Sequence, residues 1–586
     1  MLKFKNIDSE SQHRHPLTLG SVDSWPTSCR LSISAKLVVL CMLLCTWGVL
    51  LSAQREGGEM RYGELHRAQS TYDPIHRSTP PARRLGMIVF NSLVSFDENN
   101  LPIPQLTSLT TKQLLELNPV NQVAYRFPLR DDVIWHDGTP FSGYDILFTY
   151  LAMRNSSSVA HQVEFIADVN VINDNEIEFL LVERTLNALG QLAFHIVPHH
   201  PFVPDRADVH LDNPNCQIPK IADFVIRPVG TGPYHFDPKM RGVGNEAHLM
   251  VTESYFGLQS DSRNRAFIDR IVMRKIPDER ALAGAVGFSA IDLAVELPPH
   301  LLQTCVEQAK SSGRELWDER YQSLSYYFFA LNHQHPFLGG NQNRNVRQAI
   351  HYATNRQNWL ENLEGGSGIL VSGPFPHDSP YADSRTKPYP YDLSKAKSLL
   401  QEAGFNDTDQ DGIVEKEVEG VLKPFVLTLK QAPASHKNAQ ICQAFVNDLR
   451  QVGISVKTVA IPSEEEWVQQ VLGEHQFDVV LHGWSFGINA NLFPFFHSTQ
   501  SVPGGLNFIS YSNFAVDIAL EIISAELDPT ALQKISKDVH RMLHRECPYI
   551  FLWTPIRIAV GDIKIRNHII HPDGFFNYVA DWWIDQ

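Results

Sequence analysis

The chain has 586 residues, more than one compact core accommodates, so two or three domains are expected. Hydrophobic residues make up 43% and charged residues 20%, the proportions of a globular protein rather than a disordered or fibrous one. The formal net charge is -15, and beyond residue 53 there are 45 Lys/Arg against 62 Asp/Glu with no basic stripe, which argues against nucleic acid as a partner.

The first element is an apolar segment, Leu37–Ala53 (LVVLCMLLCTWGVLLSA), preceded by Arg30 and Lys36. It is longer than an ordinary signal core and just short of a comfortable membrane span. The positive residues lie before it, so the chain is expected on the non-cytoplasmic side. Leu51-Ser52-Ala53 is a mediocre cleavage site, and a cleaved signal and a retained inner-membrane anchor both remain open. Cys41 and Cys45 each follow Leu, which does not fit a bacterial lipoprotein signal. Beyond this segment Cys216, Cys305, Cys442 and Cys547 are widely spaced. They are read as one or two disulfides of unknown pairing or as four buried thiols.

Residues 54 to about 84 form a polar linker into the first strand, and short strands and turns follow to about 330. YRFPLRDDVIWHDGTPFSGYDILFTYLAMR contains an alternating strand, a turn at His136-Asp137-Gly138-Thr139-Pro140 and a helix opening near Ser142. Asp-Gly followed by Pro is turn chemistry and needs no catalytic role. His195, His199 and His200 in HIVPHHP are interrupted by Pro198 and Pro201, so helical metal-ligand spacing fails and no metal is expected. GTGPY (230–234) is read as a turn, since Pro233 lacks the amide a phosphate loop needs.

The region 390–484 is the clearest. Ser394 is expected to cap the helix KAKSLLQEA, which Gly404 stops. PFVLTLK (424–430) is a strand. KNAQICQAFVNDLRQV is a helix with Ile441, Phe445 and Leu449 on one face, ending at Gly453. ISVKTVAI (454–461) is a second strand. Ser463-Glu464-Glu465-Glu466 opens a third helix through Leu472, and FDVVLHGW is a third strand. Connections this short between strands and helices imply parallel pairing, which places ligands outside the carboxyl ends of the strands. NVRQAIHYATNRQNWLENL and PTALQKISKDVHRMLHREC read as core-packing helices, the first through Val346, Ile350 and Ala353. Arg347 and Arg356 are taken as structural. DTDQDGIVEKEV (407–418) is similar to a calcium loop through Asp407, Asp409, Asp411 and Gly412. Val418 stands where the bidentate Glu belongs, and a solvated acidic turn is expected.

The third strand runs into FDVVLHGWSFGINANLFPFF, where Trp484, Phe486, Phe493, Phe495 and Phe496 follow a strand end. A connection leaving a strand is ordinarily polar. Five rings there have to be covered by protein, by ligand or by both.

Together these segments resemble the family-5 extracellular solute-binding proteins, the peptide/nickel class of ABC importers. STYDPIHRSTPPARRLGMIVFNSLVSFD is similar to the family's opening LDP segment, with Tyr72-Asp73-Pro74 at that position. The HDGTP stretch, PVGTGPYHF, ALNHQHPF with NRNVRQAIHYATNR, YDLSKAKSLLQEAGF, YSNFAVD and ECPYIFL match further landmarks in order. The resemblance implies an α/β two-lobe periplasmic-binding-protein fold (class II, large type) with an extra subdomain in lobe 1. Lobe 1 would cover 85–330, with the subdomain at about 100–200, lobe 2 would cover 331–550, and 551–586 would return to lobe 1. It also implies a peptide-like or other organic ligand, inner-membrane permease subunits as partners, a monomer, no cofactor and no catalysis.

One departure matters. Peptide binders of the family resemble G-W-x-x-D after the strand, where the Asp holds the peptide ammonium. Here Gly483-Trp484-Ser485-Phe486 is followed by Gly487. Losing one partner of a buried ion pair costs about 3–5 kcal/mol. Trp484, Phe486, Gly487, Asn489 and Asn491 are therefore the expected ligand contacts, through aromatic surface and neutral amides. Asp478 lies too early on the strand to substitute, and His482 is expected to be packed. The alternatives are a membrane-tethered sensor that kept the fold and a metal-chelate binder of the same family.

Overall fold

The structure is a computed structural model. It describes residues 57–585 except 66–73, 76–79, 98–100, 120–122, 157–158, 183–187, 219–223, 225–227, 240–245, 254, 259–264, 378, 434–435, 486–490, 504, 527 and 573. Among the described residues no helix is long and apolar enough to cross a membrane. The segment Leu37–Ala53 and the Tyr72-Asp73 pair lie outside them.

The first part of the chain supplies β1 (Glu59–Leu65), α1 (Pro80–Val89), β2 (Ala124–Pro128), α2 (Gly143–Arg154), β3 (Ile166–Asn173) and β4 (Glu176–Leu181). It continues with β5 (Tyr234–Phe236), β6 (Glu246–Val251), β7 (Arg270–Ile276), α3 (Glu279–Gly287), β8 (Leu293–Leu297), α4 (Leu302–Ser311), β9 (Leu316–Gln322) and β10 (Ser325–Leu331). Then come α5 (Arg344–Ala353), α6 (Arg356–Leu363), β11 (Gly368–Leu370), α7 (Leu393–Glu402), β12 (Val426–Gln431), α8 (His436–Arg450) and β13 (Ser455–Ala460). The last part holds α9 (Glu464–Trp467), β14 (Val479–Ser485), α10 (Phe493–Phe496), α11 (Phe514–Ala525), α12 (Pro529–Glu546), β15 (Tyr549–Phe551) and β16 (Trp553–Asp562).

Two large sheets organise these elements. An eight-stranded sheet runs β9-β16-β8-β1-β7-β6-β5, with β11 joined to β16. Its centre is parallel, β1 pairing with β7 and β8. A five-stranded sheet runs β13-β12-β14-β10-β15, with β12 parallel to β13 and β14. This is the pairing expected from the short strand–helix alternation. A third, antiparallel sheet holds β2, β4 and β3.

The smaller sheet is buried on both faces because its strands alternate two apolar sets. Phe329, Leu331, Val479, Leu481 and Ile550 face one cluster, which includes Ile441, Phe445 and Leu449 of α8. Tyr326, Phe328, Ala330, Val480, Tyr549 and Phe551 face the other. Val346, Ile350 and Ala353 of α5 are fully buried, as their spacing requires.

Four local expectations are corrected. The stretch 54–84, read as a linker, already holds β1, a central strand of the large sheet with Met60 and Tyr62 fully buried, and the start of α1. The cap of α7 is Asp392, whose side chain accepts the Lys395 amide at 2.9 Å, and not Ser394. Both residue types cap helices, and the earlier one wins. The stretch 345–363 is two helices: Asn355 caps α6, and Asp448 takes the Asn355 amide at 2.7 Å. Ser463 does accept the Glu466 amide at 3.1 Å. The helix it opens is α only through Trp467, and Val468–Gly473 continues as a π-helix.

Three stretches that looked like unrelated turns meet around one histidine. His136 Nδ1 accepts the Gly230 amide at 3.1 Å, and Nε2–H donates to the Gly232 carbonyl at 3.0 Å. The ring is therefore the neutral Nε2–H tautomer, and burial holds its pKa down at about 4. Next to it, His200 Nε2 lies 2.7 Å from Asp137. His199 and Asp145 close the assembly, with the Asp145 carboxylate accepting the His199, Ser142 and Trp135 N–H groups at 3.0, 2.8 and 3.3 Å. The three imidazoles of HIVPHHP are thus dispersed, with His195 stacked on Phe90 and His199 Nδ1 on the Val203 carbonyl. The glycines of GTGPY let this turn lie against the end of α1, where the Gly232 amide donates to Val89 at 2.8 Å. A Cβ at Gly230 would sit 1.9 Å from the Val89 oxygen.

The substitution Gly230→Ala is expected to destabilise the protein by about 3 kcal/mol through this backbone collision, read as a lower urea midpoint. His136 gives a pH-dependent counterpart. Its folded pKa of about 4 lies below the ordinary 6.5. Its contribution is therefore complete above pH 6.5 and is lost as pH falls toward 4, where the unfolded chain binds the proton first. Urea midpoints measured across that window should fall less steeply for His136→Gln than for the natural chain.

Candidate functional site

The carboxyl end of β14 is where the sequence places a ligand. Ser485 pairs with Ser325 and Trp484 with Tyr326, at the very start of β10. Just before β10 the chain crosses from the large sheet, and there Ser323 N–H donates to Pro555 O at 2.9 Å. The return crossing runs alongside, with Leu552 N–H on Tyr327 O at 2.9 Å and Val371 N–H on Leu552 O at 3.1 Å. Trp484 thus stands level with both crossings.

Trp484 is half-buried. Its indole N–H donates to Tyr549 Oη at 3.3 Å, and its ring centroid lies 4.8 Å from that of Phe495. Tyr549 is fixed in turn by stacking on Phe328 at 3.9 Å, and burial pushes its phenol pKa up. The following aromatics divide. Phe496 is fully buried with Leu492, whereas Phe493 and Phe495 are half-buried against the same cluster. Part of this aromatic run is therefore core and part is a wall open on one side.

Of the five expected contacts, Trp484 and Asn491 are described. Phe486, Gly487 and Asn489 lie outside the described residues. Asn491 is exposed, and its Oδ1 accepts the Phe493 amide at 3.0 Å at the start of α10. Asp478 is held at the far end of β14, where its carboxylate takes the Thr428 amide at 2.7 Å. Arg347 and Arg356 spend their guanidinium groups on backbone carbonyls, Arg347 on Leu338, Gly340 and Glu546 and Arg356 on Phe551 and Tyr389. His482 is ringed by aromatics, as expected of a packed histidine, and desolvation lowers its pKa to about 4.

Two other candidate groups resolve differently. Cys216, Cys305, Cys442 and Cys547 are buried free thiols. Asp407, Asp409 and Asp411 gather with Glu415, which the sequence reading did not include. These carboxylates are already engaged with the turn itself, Asp407 with the Gly412 amide at 3.1 Å and Glu415 with the Thr408 amide at 3.0 Å.

The sequence reading missed a charged group at the carboxyl ends of the parallel strands of the large sheet. Glu64 near the end of β1 and Glu296 near the end of β8 both meet Arg84 of α1. Arg84 Nε and Nη2 donate to Glu64 at 2.8 and 2.6 Å, and Nη2 lies 3.0 Å from Glu296. Tyr62 Oη donates to Glu64 at 2.5 Å. Burial opposes the guanidinium charge, but the two carboxylates outweigh it and hold the Arg84 pKa well above its usual value. The only sequence signal was Glu64 standing on the same strand face as the apolar Met60 and Tyr62, and a partner 20 residues away is invisible to local reading.

The architecture is that of a two-lobed α/β binding protein, with strand ends of both sheets converging on the crossings. Comparison with known proteins gives the family. The profile "Bacterial extracellular solute-binding proteins, family 5 Middle" matches residues 120–504, and the chain belongs to this family. It is 24% identical over 527 residues to the oligopeptide-binding protein AppA of Bacillus subtilis, covering 85% of this chain and 89% of AppA. The structure of that AppA with a nonapeptide superposes with a TM-score of 0.75 at 21% identity, over 91% of this chain and 100% of the other. NikZ from Campylobacter jejuni, solved with Ni(L-His), superposes with a TM-score of 0.69 at 24% identity, over 90% and 99%.

The charged group can be tested by stability. Arg84→Met leaves Glu64 buried without its guanidinium and should cost about 3–5 kcal/mol in urea unfolding. Adding Glu64→Gln should recover most of that loss, because the uncompensated charge is then gone.

Proposed function

We propose that this protein is the exported solute-binding component of an ABC importer, holding a peptide-like ligand between its lobes and delivering it to inner-membrane permease subunits. The carrying observation is the position of Trp484, half-buried at a strand end and level with both crossings between the sheets. A ligand seated there touches both lobes at once and favours the closed arrangement. Closure needs no bond to form or break, so the protein acts by binding and presents no reaction.

The likeness to AppA, whose structure holds a nonapeptide, favours an extended peptide over a compact solute. The lobes divide at the two crossings, lobe 1 comprising residues up to about 323 and from 553 onward. Leu37–Ala53 serves as signal or as anchor, in either case placing residues 54–586 on the outer side of the inner membrane. Gly487 removes the carboxylate that would hold a free ammonium, so recognition at this loop rests on aromatic surface and neutral amides.

Native mass spectrometry of the purified protein should reveal a co-purified peptide. Trp484→Ala should lower its retention and weaken peptide affinity about thirtyfold, equivalent to roughly 2 kcal/mol of lost ring contact. Unchanged occupancy in that variant would place the ligand elsewhere.

A further inference from the structure

His482 lies two residues before Trp484 on the same face of β14, and four aromatic rings surround it. Its centroid is 4.7 Å from Trp484, 5.1 Å from Trp467, 5.7 Å from Phe508 and 5.8 Å from Phe328. A histidine enclosed in this way ordinarily spends its ring nitrogens on neighbouring carbonyls, as His136 does. Among the described residues neither nitrogen of His482 makes a hydrogen bond, and the side chain is only half-buried. Desolvation keeps it neutral, so it offers one N–H donor and one acceptor nitrogen.

The neighbouring ring carries the second observation. Trp467 is 5% exposed, and its indole Nε1–H is shielded from solvent with no hydrogen-bond partner. Leaving a buried donor unpaired costs about 1–3 kcal/mol, which is recovered when an oxygen reaches it. Trp467 is also the residue at which α9 gives way to a π-helix, a local widening common at binding sites. An unpartnered imidazole and an unpartnered indole N–H therefore stand side by side behind the Trp484 wall.

We propose that His482 is a specificity-determining residue of the ligand site, selecting a phenolic side chain that enters between Trp484 and Trp467. The flat ring of such a side chain fills aromatic surroundings. Its hydroxyl accepts from Trp467 Nε1–H and donates to the imidazole nitrogen. A lysine ammonium, although attracted to aromatic faces, has no lone pair for the indole donor. A phenylalanine ring fits but leaves both polar groups unpaired. This deepens the peptide reading of the site and rests on it.

The test is calorimetric titration of the full-length chain in detergent with three alanine nonapeptides that carry a single Tyr, Phe or Lys at the central position. The tyrosine peptide should bind about tenfold tighter than the phenylalanine peptide, with the lysine peptide weakest. His482→Phe and, separately, Trp467→Phe should bring the Tyr/Phe ratio close to one while phenylalanine-peptide binding persists, which also shows that the variants fold. A ratio near one in the natural chain, a ratio untouched by both variants, or preference for lysine overturns the proposal while peptide binding stands. If none of the three peptides binds, the peptide reading fails together with it.

Discussion

The pairing of residues 322–328 with 551–556 is the constraint on which the rest of the molecule depends. These two segments run antiparallel through both large sheets, first as β9 with β16, then as β10 with β15. Their backbone hydrogen bonds continue across the crossings, at Ser323 to Pro555 and Leu552 to Tyr327. The chain between them, from α5 to α12, is thereby inserted between neighbouring strands, and among the described residues of that stretch only β11 pairs with the large sheet. A single ribbon sets where the strand ends of the smaller sheet emerge, and so where Trp484 stands.

The two sheets bring different chemistry to that place. The large sheet offers Glu64, Arg84 and Glu296, a tight group in which two carboxylates share one guanidinium. The smaller sheet and the helix packed on it offer rings and neutral polar atoms: Trp484, Tyr549 and His482 from the strands and Trp467 from α9. Burial drives the contrast. A charge survives away from water only when paired, as Arg84 is, whereas an imidazole without a partner simply loses its proton.

Local patterns were informative where one force dominates. Ile441, Phe445 and Leu449 had only the hydrophobic face of a helix to obey, and all three are buried as spaced. Gly404 and Gly453 both adopt positive φ, as helix-ending glycines do. Errors arose where two similar signals competed within a few residues. Asp392 and Ser394 both cap helices, and Thr354-Asn355 breaks a pattern that periodicity alone would carry through. The π-helix after Trp467 depends on how that stretch settles over β12 and β14, which no window of ten residues contains.

The order of strands and helices, their apolar faces, the family resemblance and the aromatic character of the loop after β14 all follow from residue order, because each rests on contacts or periodicities a few residues long. The meeting of His136 with Gly230 and Gly232, of Glu64 with Arg84 and Glu296, and of His482 with Trp467 does not. Each joins segments whose separation in sequence says nothing about their separation in space. Turns that read as featureless became a clip around one imidazole, and a histidine that read as packing is indeed ringed by aromatics, without a hydrogen bond among the described residues. Only the folded chain decides which side chains are left without partners, since that depends on everything that has already been paired.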